Sequence, residues 1–174
     1  MRNWMKKHSI LLSLLLVLAV MVMIYCFSAQ TGEESGALSG RLTRWVVGLV
    51  VPGLEDMDPV ARENLLNTVG LIVRKLGHFT EFALLGFSLM LHICQLQKKW
   101  SVRLPLWWAW GIGALYAASD EFHQSFVGGR GPSVWDVMID SGGVIAGVLL
   151  MVLILQNGKN PAIIKKNGKK DEKI

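Results

Sequence analysis

Asp120-Glu121-Phe122-His123-Gln124 closes an apolar segment long enough to cross a membrane. Ionisable side chains are costly in hydrocarbon, and where they occur they mark ion paths, binding sites or catalytic groups. Three further polar sets have the same setting. Arg74-Lys75-Leu76-Gly77-His78-Phe79-Thr80-Glu81 opens another apolar run, Asp136 and Asp140 open a third, and Ser28 and Gln30 close the first. Lys75, His78 and Glu81 recur at three-residue steps, Asp120, His123 and Gln124 at three and four, and Asp136 and Asp140 at four, so each set shares a helix face. Such a gathering offers three chemistries. Carboxylates held together in low dielectric cannot all ionise, which leaves a protonated acid beside an ionised base; Glu81, Asp120, Glu121 and His78 are the candidates for that catalytic work. Arg74, Lys75 and Arg130 suit a phosphate-bearing or zwitterionic ligand, with Gln124, Asp136, Asp140, Ser28 and Gln30 as further binding candidates. His78, Glu81, Asp120 and His123 have spacings compatible with metal ligands on facing helices, without a signature such as H-E-x-x-H. In the plainest alternative, the bases and histidines only neutralise buried carboxylates within a packed bundle.

The elements that position these groups follow from hydropathy. The chain has 174 residues, 52% of them hydrophobic, with a mean hydropathy of +0.40, and its long charge-free runs are foreign to soluble domains. Ser9 to Gln30 carries no charge, and at about 1.5 Å per residue it spans the roughly 30 Å hydrocarbon core. Phe82 to Gln97, Leu104 to Ser119 and Ser141 to Gln156 qualify once each is extended about two turns into polar residues. The expected fold is therefore all-α, an integral membrane bundle of four transmembrane helices over about 9–29, 74–97, 104–124 and 134–156. A basic N-terminus, 1–8, precedes this domain. A basic tail, 157–174, follows it and is expected to be a solvated, disordered end that brushes anionic headgroups and binds no nucleic acid. A cleaved signal peptide is the rival reading of the first run, but the apolar stretch is too long for it and Phe27 spoils an Ala29 cleavage site.

Twelve of the eighteen Lys and Arg fall at 2–7, 98–103 and 159–173. The positive-inside rule makes those segments cytoplasmic, giving a multi-pass cell-membrane protein with both termini inside. Every unusual polar group then lies toward the outer leaflet, and the inner halves lack the relay a transporter needs. Asp136 and Asp140 continue inward into Gly143 and Gly147, and Asp120 and Gln124 sit on the stripe of Gly113 and Ala117. These small residues permit close helix approach, so the carboxylates should point into a tight seam. Between the first two spans, Leu42, Trp45, Val46, Leu49 and Val50 form one apolar face, and Asp58-Pro59 starts a second helix. Both are too charged to span, so an interfacial or re-entrant pair over the outer mouth is expected. The loop Gly128-Gly129-Arg130-Gly131-Pro132-Ser133 could cradle an anion, or be a turn ending in a Ser133 N-cap. Cys26 and Cys94 fall at opposite membrane depths and should not pair. His92 and the tryptophans read as packing and interface anchors.

Three motifs in order resemble the VanZ-like membrane protein family. They are Phe27-Ser28-x-Gln30 with Gly32-Glu33-Glu34-Ser35; Arg74-Lys75-x-x-His78-Phe79-x-Glu81; and Asp120-Glu121-x-x-Gln124-x-Phe126…Arg130…Ser133-x-x-Asp136…Gly143…Gly147. The family loop commonly reads Pro-Gly-Arg where Gly128-Gly129-Arg130 stands here, and an aromatic hydroxyl often occupies the position of Phe82. The resemblance implies a bacterial cell-envelope setting, and the family's namesake is linked to low-level resistance to the glycopeptide teicoplanin. It brings no settled mechanism and leaves the cofactor open. The lipid bilayer is the first partner, with a lipid-linked cell-wall precursor or a glycopeptide as candidate ligand. Catalysis at the outer leaflet, binding without chemistry, and a structural packing network are the readings left open.

Overall fold

The computed structural model describes residues 2–96 and 103–167, with side chains from 7 to 96 and from 105 to 156. Its order is α1 (Arg2–Ser28), α2 (Gly32–Val50), a 3₁₀ turn (Leu54–Asp56), α3 (Pro59–Leu96), α4 (Arg103–Gln124) and α5 (Val134–Asn167). No strand occurs among the described residues. Three helices are long and apolar enough to cross a membrane: α1 over Lys7–Ser28, α3, and α5 over Val134–Gln156. The aliphatic side chains of α1 that face away from the bundle, Leu11, Leu12, Leu15 and Val22 among them, are exposed. A soluble monomer rarely exposes so continuous an apolar surface.

The expected fourth span, α4, has the length but is not among those three. Its 22 residues include three tryptophans, Pro105 and the pair Asp120-Glu121, which dilute its apolar character. It nevertheless packs along α5 and α3 and contributes Ala109 and Ala117 to a core shared with Ile24, Phe82, Leu85, Met90, Val144 and Val148. Tyr116 also donates to the Met21 carbonyl at 2.7 Å, tying α4 to α1.

Backbone contact between α3 and α5 explains the small residues. A Cβ on Gly143 would run into the Phe79 carbonyl, one on Gly147 into that of Ala83, and one on Gly86 into that of Val144. These helices approach as closely as main chain allows, and α3 with α5 is the most extensive pairing in the molecule. On α4, Gly113 receives the Val144 side chain in the same way.

Two expectations about the elements are corrected. The helix begun at Asp58-Pro59 does not stop before the second span. It continues through Gly70 and Gly77 to Leu96 as one 38-residue helix, because an isolated glycine costs a helix only about 1 kcal/mol. Its start is as read: the Asp58 carboxylate accepts the N–H groups of Val60 and Ala61 at 3.0 and 3.1 Å. The basic tail also departs from the expected disordered end, since α5 carries on to Asn167; the rest of the tail lies outside the described residues.

The predicted interfacial segment becomes α2. Thr31 and Glu34 cap it reciprocally, and those hydrogen bonds hold the exposed Glu34 carboxyl below its usual range. Thr43 and Val47 are the residues it buries. The apolar face read from the sequence turns outward instead, with Trp45 64% exposed and Leu42 and Leu49 likewise bare. A helix that lies on lipid presents its apolar face in this way.

Candidate functional site

The polar residues gather where α1 and α4 end and α5 begins. Ser28, the last residue of α1, donates to Asp120 Oδ2 at 2.6 Å. Gln124, one turn beyond Asp120 on α4, donates through Nε2 to the same oxygen and to Ser28 Oγ, both at 2.8 Å. The Gln124 amide oxygen accepts from Arg130 Nη1 at 3.0 Å, and Arg130 Nη2 reaches the Phe27 carbonyl at 3.2 Å. Each atom of the Gln124 amide thus has a role that fixes its orientation. Ser28, Asp120 and Gln124 are all buried. The network closes the ends of two helices with the loop that leads to the next.

That loop is pinned at two points, and the first turn of the helix after it at a third. Glu121 accepts the Ser133 N–H at 2.6 Å, and Lys75 pairs with Asp136, joining α3 to α5. The Gly32 N–H donates to the Gly128 carbonyl at 3.0 Å. Gly129 adopts φ 76°, a backbone that non-glycine residues rarely take, and a Cβ on Gly32 would collide with its carbonyl. Ser133 stands at the N-cap position, and its carbonyl accepts from Asp136 and Val137. The Arg130 guanidinium braces α1 and α4, and its burial together with nearby Arg74 pulls it below its usual value.

A second convergence lies deeper. His78, Asp120 and Asp140, from α3, α4 and α5, each offer a ligand atom within 4.8 Å of the other two. Of the four residues with metal-ligand spacing in the sequence, only His78 and Asp120 belong to this group. His123 stacks on Tyr25 at 4.9 Å between ring centres. Glu81 lines the second of the cavities described next and not the cluster. The drift of an α-helix explains the divergence on α3: three-residue steps fall about 60° short of a full turn each time. Lys75 consequently meets α5, His78 the centre, and Glu81 the side of α1 and α2.

Two cavities flank His78. One of about 160 Å³ is lined by Arg74, Lys75, His78, Glu121, Asp136 and Asp140. The other, about 230 Å³, has Gln30, Arg74, His78, Glu81 and Arg130 among its walls, with Phe27 and Leu42. Arg74 lines both, and its Nε is buried without a partner. Past Glu81 and Gly77 the second cavity meets an apolar groove walled by Phe27, Leu42, Val46, Val73, Leu76 and Leu84. Leu42, Leu76 and Leu84 are exposed, so the groove opens onto the apolar outer surface of the helices.

The sequence profile of the VanZ/LLP1 family matches residues 13–155. The chain belongs to this family. No curated protein and no solved structure matches it. The matched region contains all five helices in whole or part, so the VanZ/LLP1 assignment and the apolar helices together make this a membrane protein. Residues of all three motifs that carried the resemblance are bonded or gathered here: Ser28 and Gly32, then Lys75 and His78, then Asp120, Gln124, Arg130 and Ser133. Gln30 donates its N–H to the Phe27 carbonyl that Arg130 also reaches, and it stands on the wall of the second cavity. Nothing in the sequence pattern marks the groove, whose mostly apolar residues are brought together only by the packing of α1, α2 and α3. It also left Asp140 out of the metal candidates, although its four-residue spacing from Asp136 places it one turn deeper on the same face.

Proposed function

We propose that this VanZ/LLP1 protein binds a phosphate-bearing amphiphile of the cell envelope at the extracytoplasmic leaflet, headgroup in the polar cavities and chain along the α1–α2–α3 groove. One observation carries the reading: a cavity walled by Arg74, whose Nε has no partner, shares Phe27, Leu42 and Glu81 with an apolar groove edged by exposed leucines. The outward direction rests on the basic flanks of the spans, with α4 as the fourth crossing beside α5. Cavities of about 160 and 230 Å³ hold a headgroup, being smaller than the roughly 300–1,000 Å³ pockets that enclose drug-sized ligands. A whole glycopeptide does not fit inside. Glu81 stands where headgroup and chain would meet, which makes it the favoured acid–base residue should binding lead to chemistry.

The test is melting of the detergent-purified protein with a polyprenyl phosphate and with the alcohol of the same chain length. The phosphate should stabilise by several degrees and the alcohol much less, and Arg74→Ala should abolish the difference. Equal stabilisation by both, or none by either, would sink the reading.

A further inference from the structure

Asp140 is 1% exposed, and neither of its carboxylate oxygens has a hydrogen-bond partner. The charges that act on it are those of Asp120, Glu121, Asp136 and Glu81, all of its own sign. His78 Nδ1, in the same cluster, is also buried without a partner. An unsatisfied buried polar group costs about 1–3 kcal/mol, and an unpaired buried charge more. Of the nearby bases, Lys75 is committed to Asp136 and Arg130 to Gln124 and the Phe27 carbonyl, while Arg74 lines the same cavity without bonding either Asp140 oxygen. No basic side chain among the described residues bonds the Asp140 carboxylate.

We propose that His78, Asp120 and Asp140 form a binding site for a divalent metal ion of the zinc or manganese class. One imidazole with two carboxylates is a mixed donor set; calcium and magnesium favour oxygen alone, whereas zinc and manganese accept both. Two ligands of one ion cannot lie further apart than twice the bond length, about 4.2 Å for bonds of about 2.1 Å. The span of 4.8 Å reaches that limit through modest rotation of a carboxylate. Ser28 and Gln124 both hold Oδ2 of Asp120, which leaves its other oxygen outside those bonds for the metal. They are positioning residues of the kind that orient metal-bound carboxylates. Three protein ligands leave a coordination position open, as catalytic metal sites require. His78 and Asp140 both line the 160 Å³ cavity, so that position faces it. The site rests on buried donors and stands whether or not the amphiphile binds.

Full-length protein in detergent, stripped with a chelator, is titrated with Mn²⁺ under electron paramagnetic resonance and with Zn²⁺ under thermal melting. About one Mn²⁺ should bind per chain, and Zn²⁺ should raise the melting temperature. Asp140→Asn and His78→Gln should each weaken binding by more than about tenfold, and Ser28→Ala by about ten- to a hundredfold. Glu81→Gln should bind as wild type; loss there would mean a different ligand set and overturn the assignment. If stripped wild-type protein takes up neither ion, the proposal fails however the variants fold. It fails equally if Asp140→Asn binds normally and melts higher, because Asp140 is then only a buried neutral acid. Arg74→Ala should keep the metal, which separates this outcome from the lipid reading.

Discussion

At the residue scale the site consists of two layers with different duties. Arg130, Gln124, Ser28, Glu121 and Lys75 hold helix ends and loop together, and His78, Asp140, Arg74 and Glu81 are left with unspent valence or open space. Arg130 was readable as an anion ligand from its glycine-rich setting, yet its guanidinium is used as a brace between α1 and α4. Arg130→Ala should therefore lower stability by about 2 kcal/mol, given two hydrogen bonds to a charged group of which one is partly exposed. Arg130→Lys should recover only part of it, because an ammonium cannot span both acceptors as the guanidinium fork does. Melting of the two variants decides the matter; an unchanged Arg130→Ala would return the residue to the ligand.

At the element scale the decisive contact is backbone on backbone between α3 and α5. Gly147→Leu should fail to give folded protein or melt far below wild type, since the new side chain meets the Ala83 carbonyl and nothing flexible can yield; over-packing typically costs about 1–3 kcal/mol and more where backbone must move. Gly77→Ala, whose Cβ would meet nothing within 4 Å, should leave the melting temperature unchanged or raise it slightly. This seam was legible in the sequence, because Gly143 and Gly147 repeat at helical spacing below Asp136 and Asp140. The existence of the three span-capable helices α1, α3 and α5 was equally plain from runs without charge. The continuity of α3 was not, because polar residues from Glu63 to Lys75 look like a boundary when only hydropathy is counted. Nor was the outward turn of the α2 apolar face, since amphipathicity tells which residues share a side but not which neighbour, protein or lipid, that side meets.

At the scale of the whole molecule, the orientation can be tested by labelling. In a chain with Cys26→Ser and Cys94→Ser, Glu55→Cys should react with an impermeant maleimide on intact cells and Lys99→Cys should not; the reverse pattern would invert the topology. The 38 residues of α3 extend roughly 57 Å at about 1.5 Å per residue, nearly twice the hydrocarbon thickness of about 30 Å. Lys75, His78 and Glu81 sit near its middle. No loop separates the turn at Gly53–Asp58 from the histidine and glutamate that face the cavities, since one unbroken helix runs past both. That helix is gripped by α5 along the glycine seam. The turn and the cavities are therefore the two ends of one covalent, hydrogen-bonded path.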